Sequence, residues 1–182
     1  MVHREQIGIM LCVLLDVCVM LGADCALVRT PSFFKNVMTA DIFVKHYAEV
    51  ADASPIPVLL YNVTMYSGVT LQADAVERLA RHPNIVGMKE SGNDLILISE
   101  CVARTPDNWT VLAGSATTLF HSICAGCDGA ILALASLVPG PCAEVVSLVQ
   151  ANRLAEARAL HRSLLPLARS IGGVHGIPGV DR

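Results

Sequence analysis

The stretch Ile85-Val86-Gly87-Met88-Lys89-Glu90-Ser91-Gly92 decides how the chain is read. Four apolar residues make a short buried strand, and a lysine closes it just before a turn. In an α/β barrel the C-terminal strand ends hold the chemistry, so a lysine there delivers its amine to the rim where substrate binds. Lys35 and Lys45 are the only other lysines in the sequence. An amine in a dry pocket loses basicity and can attack a carbonyl to form a Schiff base. A strand-edge lysine can equally extend to solvent with no chemical role, so the flanking segments must carry the argument.

Outward from residues 85–89, apolar runs alternate with helical patterns. Residues 25–28 read as a strand stopped by Thr30-Pro31, 57–61 as the next, 110–113 as the one after Lys89, and 130–134 as the last. Thr39 can cap a helix reaching residue 53, with Ile42, Phe43, Tyr47 and Val50 inward at three- and four-residue spacing. A second helix covers about 72–82, with Ala75, Val76, Leu79 and Ala80 inward. Asn93 or Asp94 starts a third ending near Arg104, Ser115 caps a short fourth reaching Ala125, and 141–151 and about 154–169 give two more.

Strands about 20 to 30 residues apart, each followed by a helix, are parallel βαβ units. The expected fold class is α/β: a partial (β/α)8 TIM barrel, roughly its fourth to eighth strands with their helices. A complete barrel takes about 250 residues. The expected organisation is an atypical, helical N-terminal segment over 1–22, an incomplete barrel domain over 23–171, and a loop-like tail over 172–182. No Gly-rich dinucleotide fingerprint or P-loop follows any strand, which sets a nucleotide-binding sheet aside.

The 182 residues are 53% hydrophobic but only 4% aromatic, with a net charge of −3. That suits a buried parallel sheet, whose strands are continuous apolar runs. It offers no basic patch, so no nucleic-acid partner is expected. Seven cysteines, an odd number, lie scattered through apolar segments and read as free thiols in a reducing compartment. Cys124-Ala-Gly-Cys127 has redox or zinc spacing but no second ligand pair, so no metal is expected. Residues 7–21 are nearly all apolar behind Arg4 and precede Gly22-Ala23, a pattern shared by signal peptides and buried helices. The run is short for a membrane span and contains Asp16, so no membrane partner is expected and the helix is favoured. Asn62-Val-Thr64 and Asn108-Trp-Thr110 are sequons that a secreted glycoprotein would use.

Tyr61 ends the strand preceding that of Lys89. Parallel strands present their C-terminal residues at one rim, where a phenol could pass protons during carbinolamine formation and C–C cleavage. A tyrosine that only caps the core would look the same. Gly114 ends the following strand, where a missing Cβ lets substrate approach the backbone or simply permits a turn.

Leu59-Leu-Tyr61-Asn-Val, Val86-Gly-Met-Lys89-Glu-Ser and Val111-Leu-Ala-Gly114-Ser, in that order, resemble the dihydrodipicolinate synthase family of Schiff-base aldolases. The likeness spans residues 15–179 and includes Gly22-Ala-Asp-Cys-Ala-Leu-Val, Thr30-Pro31 and Gly129-Ala-Ile-Leu-Ala. Ile56-Pro-Val, His82-Pro-Asn-Ile-Val-Gly-Met-Lys89 and Gly176-Ile-Pro-Gly179 most resemble its mitochondrial 4-hydroxy-2-oxoglutarate aldolase branch. The resemblance implies that Lys89 forms an imine with the 2-oxo group of the substrate and that Tyr61 relays protons. Ser91 and Gly114 would lie against the bound keto acid, and Ile131 would line the floor. The implied reaction is retro-aldol cleavage of 4-hydroxy-2-oxoglutarate to pyruvate and glyoxylate, with no cofactor because the protonated imine is the electron sink. It also implies a small 2-oxo acid substrate, a homo-oligomer of the folded chain, and a mitochondrial location, with the cytoplasm as the alternative.

The sequence also departs from the family. No Gly-Thr-Thr-Gly-Glu type motif, which grips the keto acid's carboxylate, precedes Lys89. Residues 1–14 look unrelated, and the first three strands and the helices beyond 179 are expected to be missing. Ser32-Phe33-Phe34 offers no phenol where a second family tyrosine is expected. Tyr66 stands where the synthase branch has an arginine, which argues against dihydrodipicolinate synthesis. Four readings follow: the aldolase, a non-catalytic fragment or isoform of the same family whose sheet edges need covering, a synthase-like lyase, and a secreted glycoprotein.

Overall fold

The structure, a computed structural model, describes residues 19–171. The expected helix over 7–21 falls almost wholly outside the described residues, and the tail from 172 lies outside them. Five strands, β1 (Ala26–Arg29), β2 (Val58–Asn62), β3 (Ile85–Glu90), β4 (Thr110–Ala113) and β5 (Gly129–Ala130), form one parallel sheet in the order β1-β2-β3-β4-β5. Strand order equal to chain order means that each crossover steps to the same side. Right-handed crossovers then wind the sheet in one direction, as a barrel does, rather than doubling back at a switch point.

The described residues divide into two compact units, one running to Met88 with Ala103–Thr110, the other comprising Lys89–Val102 and the residues from Val111 on. In the first, helix α1 (Ala40–Ala53) starts at Thr39, whose side chain accepts the Ile42 N–H at 3.4 Å. Phe43, Tyr47, Val50 and Ala51 form its buried stripe. Ile42, expected inward, is 38% exposed because it sits at the margin of that stripe. The Tyr47 hydroxyl donates to the Val28 carbonyl at 3.1 Å and accepts from the Tyr61 backbone, while burial pushes the phenol's pKa up. One tyrosine thus ties α1 to β1 and β2. A short turn of helix α2 (Thr64–Ser67) leads into α3 (Ala73–Leu79), which buries Ala73, Ala75, Val76 and Leu79. Ala80 is only half-buried and caps the helix, which ends before residue 82.

Burial alternates along β1 and β2 as a strand requires. Ala26, Val28, Val58 and Leu60 are buried, whereas Leu27 and Arg29 are exposed and Leu59 and Tyr61 half-buried. The register pairs Leu27 with Leu59 and Arg29 with Tyr61, so these four share the open face.

In the second unit Asp94, not Asn93, caps α4 (Leu95–Arg104): its Oδ1 accepts the Ile96 and Leu97 N–H groups at 3.0 Å each. Helices α5 (Leu119–Cys124), α6 (Pro139–Gln150) and α7 (Leu154–Arg169) follow. Ser115 does not cap α5: its hydroxyl bonds Asn93, and the helix starts only at Leu119. The last strand is also shorter than expected. Pairing ends at Ala130, and after the buried Leu132 the chain tightens into a 3-10 turn over Ala133–Ser136 that buries Leu134. Helix α6 begins at Pro139, a residue whose fixed φ and missing N–H suit a first turn.

Candidate active site

β3 alternates so that Met88 and Glu90 are fully buried while Lys89, between them, is half-buried. The buried carboxylate of Glu90 is met by a backbone donor, since Oε1 accepts the Gly92 N–H. That bond closes the Glu90-Ser91-Gly92 turn and holds Ser91 beside the end of the strand. Gly114, following β4, donates its N–H to the Glu90 carbonyl at 2.6 Å. A Cβ built on Gly114 would lie 2.9 Å from Lys89 Cε and 2.9 Å from the Glu90 carbonyl, and would overlap Ser91 Oγ. Lys89, Ser91 and Gly114 are therefore brought together, with the lysine's aliphatic arm lying over the glycine. Ser91 Oγ is buried with no hydrogen-bond partner among the described residues, leaving its capacity available to a bound molecule.

Ile131 follows β5 directly. Its N–H donates to the Ala113 carbonyl at 2.9 Å, the bond that closes the Ala113–Ala130 pair, and its side chain is 40% exposed. Tyr61 belongs to the first unit, half-buried near the end of β2, where its carbonyl accepts the Thr30 N–H at 3.2 Å. In register beside it stands Arg29, which the reading of the sequence passed over. Its signal was available: an arginine ends the apolar run of β1 as a lysine ends that of β3. Asn62, one of the two sequon asparagines, is fully buried, its side chain accepting the Leu71 N–H at 3.0 Å and donating to the Leu71 carbonyl at 3.4 Å.

Among the described residues all cysteines are free thiols. Burial, then Asp128 and Glu90, push the Cys127 thiol up to about 12. Such a thiol stays protonated at neutral pH and is a weak nucleophile. No group of three His, Cys, Asp or Glu residues able to hold a metal occurs among the described residues, and no helix there is long and apolar enough to cross a membrane.

The profile of the dihydrodipicolinate synthetase family matches residues 17–173. The chain belongs to this family. A 4-hydroxy-tetrahydrodipicolinate synthase of Thermodesulfovibrio yellowstonii is 38% identical over 151 residues, which is 83% of this chain and 51% of that protein. Among solved structures, the dihydrodipicolinate synthase of Thermotoga maritima aligns with a TM-score of 0.82 at 28% identity, covering 87% of this chain and 55% of that one. The chloride-inhibited dihydrodipicolinate synthase of Acinetobacter baumannii, complexed with pyruvate, aligns with a TM-score of 0.80 at 31% identity over 87% and 54% of the two chains. The chain thus spans about half the length of the curated relatives it matches. Its five strands and their helices correspond to part of a TIM barrel in these family structures.

Proposed function

We propose that the chain carries the imine-forming lysine of a lyase acting on a small 2-oxo acid, and that this lyase cleaves 4-hydroxy-2-oxoglutarate to pyruvate and glyoxylate. The observation that supports the reading is the convergence of Lys89, Ser91 and Gly114 at one strand end. In it, the Lys89 amine adds to the 2-oxo carbon and water leaves. The protonated imine then accepts the electron pair released when the C3–C4 bond breaks, and glyoxylate departs as the C4 hydroxyl loses its proton. The enamine left behind is protonated at C3 and hydrolysed by water to pyruvate and free Lys89. Tyr61 serves as the proton relay, Ser91 donates to the keto acid, Gly114 leaves room for it, and Ile131 lines the floor. No organic cofactor or metal takes part in this scheme.

The test is borohydride trapping of pyruvate by the native chain and by Lys89→Ala, read by the mass of the intact protein. A pyruvyl adduct on the native chain alone is expected; equal labelling of the two would end the role of Lys89. A second reading, a synthase-like lyase, draws on the relatives that carry the name 4-hydroxy-tetrahydrodipicolinate synthase. Both pass through an imine or enamine of pyruvate on Lys89, so they separate on product: glyoxylate release from 4-hydroxy-2-oxoglutarate supports the aldolase, formation of 4-hydroxy-tetrahydrodipicolinate the synthase. Absence of any imine would favour the non-catalytic isoform. The same reading places the protein in the mitochondrion as a homo-oligomer. Subcellular fractionation tests the first and sedimentation the second; the exposure of Phe33, Phe34, Met65 and Tyr66 supports self-association.

A further inference from the structure

The segment joining β4 to α5, residues 115–118, begins immediately after the glycine that underlies Lys89, and it is tied down from two directions. On one side lies the loop after β3: Ser115 Oγ bonds Asn93 Oδ1 at 3.1 Å, Thr117 Oγ1 bonds the same oxygen at 3.4 Å, and the two hydroxyls are 2.9 Å apart. On the other lies α7, where Nε2 of His161 is 3.1 Å from the Ala116 carbonyl.

His161 is an unusual occupant of its place. Ala157, Leu164 and Ala168 make up the rest of the buried stripe of α7, and the imidazole among them is only 2% exposed. An apolar side chain would fill that stripe without bringing a polar ring out of water. A carbonyl can only accept, so Nε2 must carry the hydrogen. Burial, and to a lesser extent the neighbouring His121, disfavour the charged ring, although the Ala116 carbonyl favours it. Ring orientation is set as well: Phe120 stacks at a centroid distance of 6.2 Å and 27°, and His121 meets it edge-on at 5.7 Å. The ring is thus held by α5 neighbours and aimed at one backbone oxygen 45 residues earlier in the chain.

We propose that His161 is a positioning residue: by holding the Ala116 carbonyl from α7 it fixes the 115–118 segment, and through it the seat of Gly114 against the arm of Lys89. The proposal rests on the imine-forming role of Lys89 set out above. Loss of the donor leaves the Ala116 carbonyl without its His161 bond and lets the segment shift. A displacement of about 1 Å near a reacting group costs on the order of a hundredfold in rate, so even a part of it is measurable.

The test uses the full 182-residue chain with His161→Gln, which keeps an amide donor, and His161→Phe, which keeps the stack and removes the donor. Three quantities are read: the rate of borohydride-trappable imine formation with pyruvate, amide hydrogen exchange at residues 115–118, and the ring tautomer of the native His161 by nitrogen NMR. In a cooperatively folded His161→Phe, imine formation slows by about tenfold or more while exchange at 115–118 accelerates, and His161→Gln recovers most of both. Unchanged exchange and trapping in folded His161→Phe would overturn the proposal, as would a glutamine variant no better than phenylalanine. Should neither variant fold, the tautomer decides: a hydrogen on Nε2 supports the tie to Ala116, and one on Nδ1 alone refutes it. If the native chain traps no pyruvate, the lyase reading fails and the positioning role with it, whereas native trapping unaffected in the variants refutes His161 alone.

Discussion

Replacing Gly114 with alanine puts a methyl group into the most crowded point of the candidate site. Two of its three nearest neighbours, Lys89 Cε and the Glu90 carbonyl, stand at 2.9 Å, well inside ordinary carbon contact distance, and the third is Ser91 Oγ. The hydroxyl can rotate away and the lysine arm can swing, but the Glu90 carbonyl is backbone. It is also the acceptor of the Gly114 N–H at 2.6 Å, so relieving the clash stretches the hydrogen bond that joins the two strand ends. Overpacking of this kind costs about 1–3 kcal/mol. A weakened hydrogen bond adds about 1 kcal/mol, and the lower entropy of the unfolded alanine chain offsets about 0.4–1 kcal/mol. The net expectation is about 2 kcal/mol of lost stability, or a Tm lower by roughly 4–8 °C for a chain of this size. Because the lysine arm must move too, trapping of pyruvate should slow on the order of a hundredfold. Gly140→Ala is the matched control, since a Cβ there meets nothing within 4 Å and the residue lies in a helix; it should leave trapping unchanged within about twofold and raise stability by about 0.4–1 kcal/mol. A Gly114→Ala chain that melts and traps like the native one would refute the packing of Lys89 over Gly114.

Other outcomes follow from the same contacts. Asn62→Ala removes both bonds to Leu71 inside a fully buried setting; a loss of about 2 kcal/mol in urea unfolding is expected, and a loss below about 0.5 kcal/mol would contradict the burial. Trp109, the single tryptophan, is 6% exposed and donates from Nε1 to the Ile85 carbonyl at 2.9 Å. Its emission should start blue-shifted and move red in one step with unfolding of the first unit, and a native spectrum like that of free indole in water would count against the contact. Burial holds both His46 and His161 below the ordinary imidazole value of 6.5. The unfolded chain then binds more protons than the folded one below that value, so stability falls as pH drops through 6.5. The urea midpoint should therefore be lower at pH 5.5 than at 7.5, with a smaller difference in His161→Gln; an equal difference would exclude His161 as a contributor.

Local signals made most of the fold legible. Thr39 could be named as a cap because an extended residue with a hydroxyl, followed by an apolar stripe, needs nothing from the rest of the chain. The same holds for strands bounded by Pro, Asn and Gly, whose limits shifted by a residue or so. Failures arose where a side chain had two local options and a distant group chose between them. Ser115 could cap a helix or bond Asn93, and Asn93 took it. The run Ala130-Ile-Leu-Ala-Leu134 has no period that separates a strand from a tight turn, and only Ala130 is strand while Ala133 and Leu134 enter a 3-10 turn. Nothing in the pattern around Lys89 marks Glu90 as buried, yet its side chain turns inward, where Oε1 accepts the Gly92 N–H. His161 had a legible trace, as the polar member of an otherwise apolar stripe at four-residue spacing from Ala157, but its acceptor lies in a loop no periodicity could indicate.

The parity of β3 links this folding logic to the chemistry. Side chains of a strand alternate, so a slip of one residue would exchange the faces of Met88, Lys89 and Glu90 together. In the observed register the apolar Met88 and Glu90, whose Oε1 accepts the Gly92 N–H, take the buried side, and Lys89 takes the half-open one. The slipped register would bury an ammonium group and expose Met88, a combination penalised at both positions. The amine therefore reaches the open side as a consequence of where methionine and glutamate are most stable. Converting Glu90 to glutamine tests that logic. The amide keeps an acceptor for the Gly92 N–H and sheds the buried charge, so the turn should persist and Lys89 should remain trappable. Loss of trapping in a folded Glu90→Gln chain would mean that the carboxylate charge itself, rather than the register it supports, is what serves the lysine.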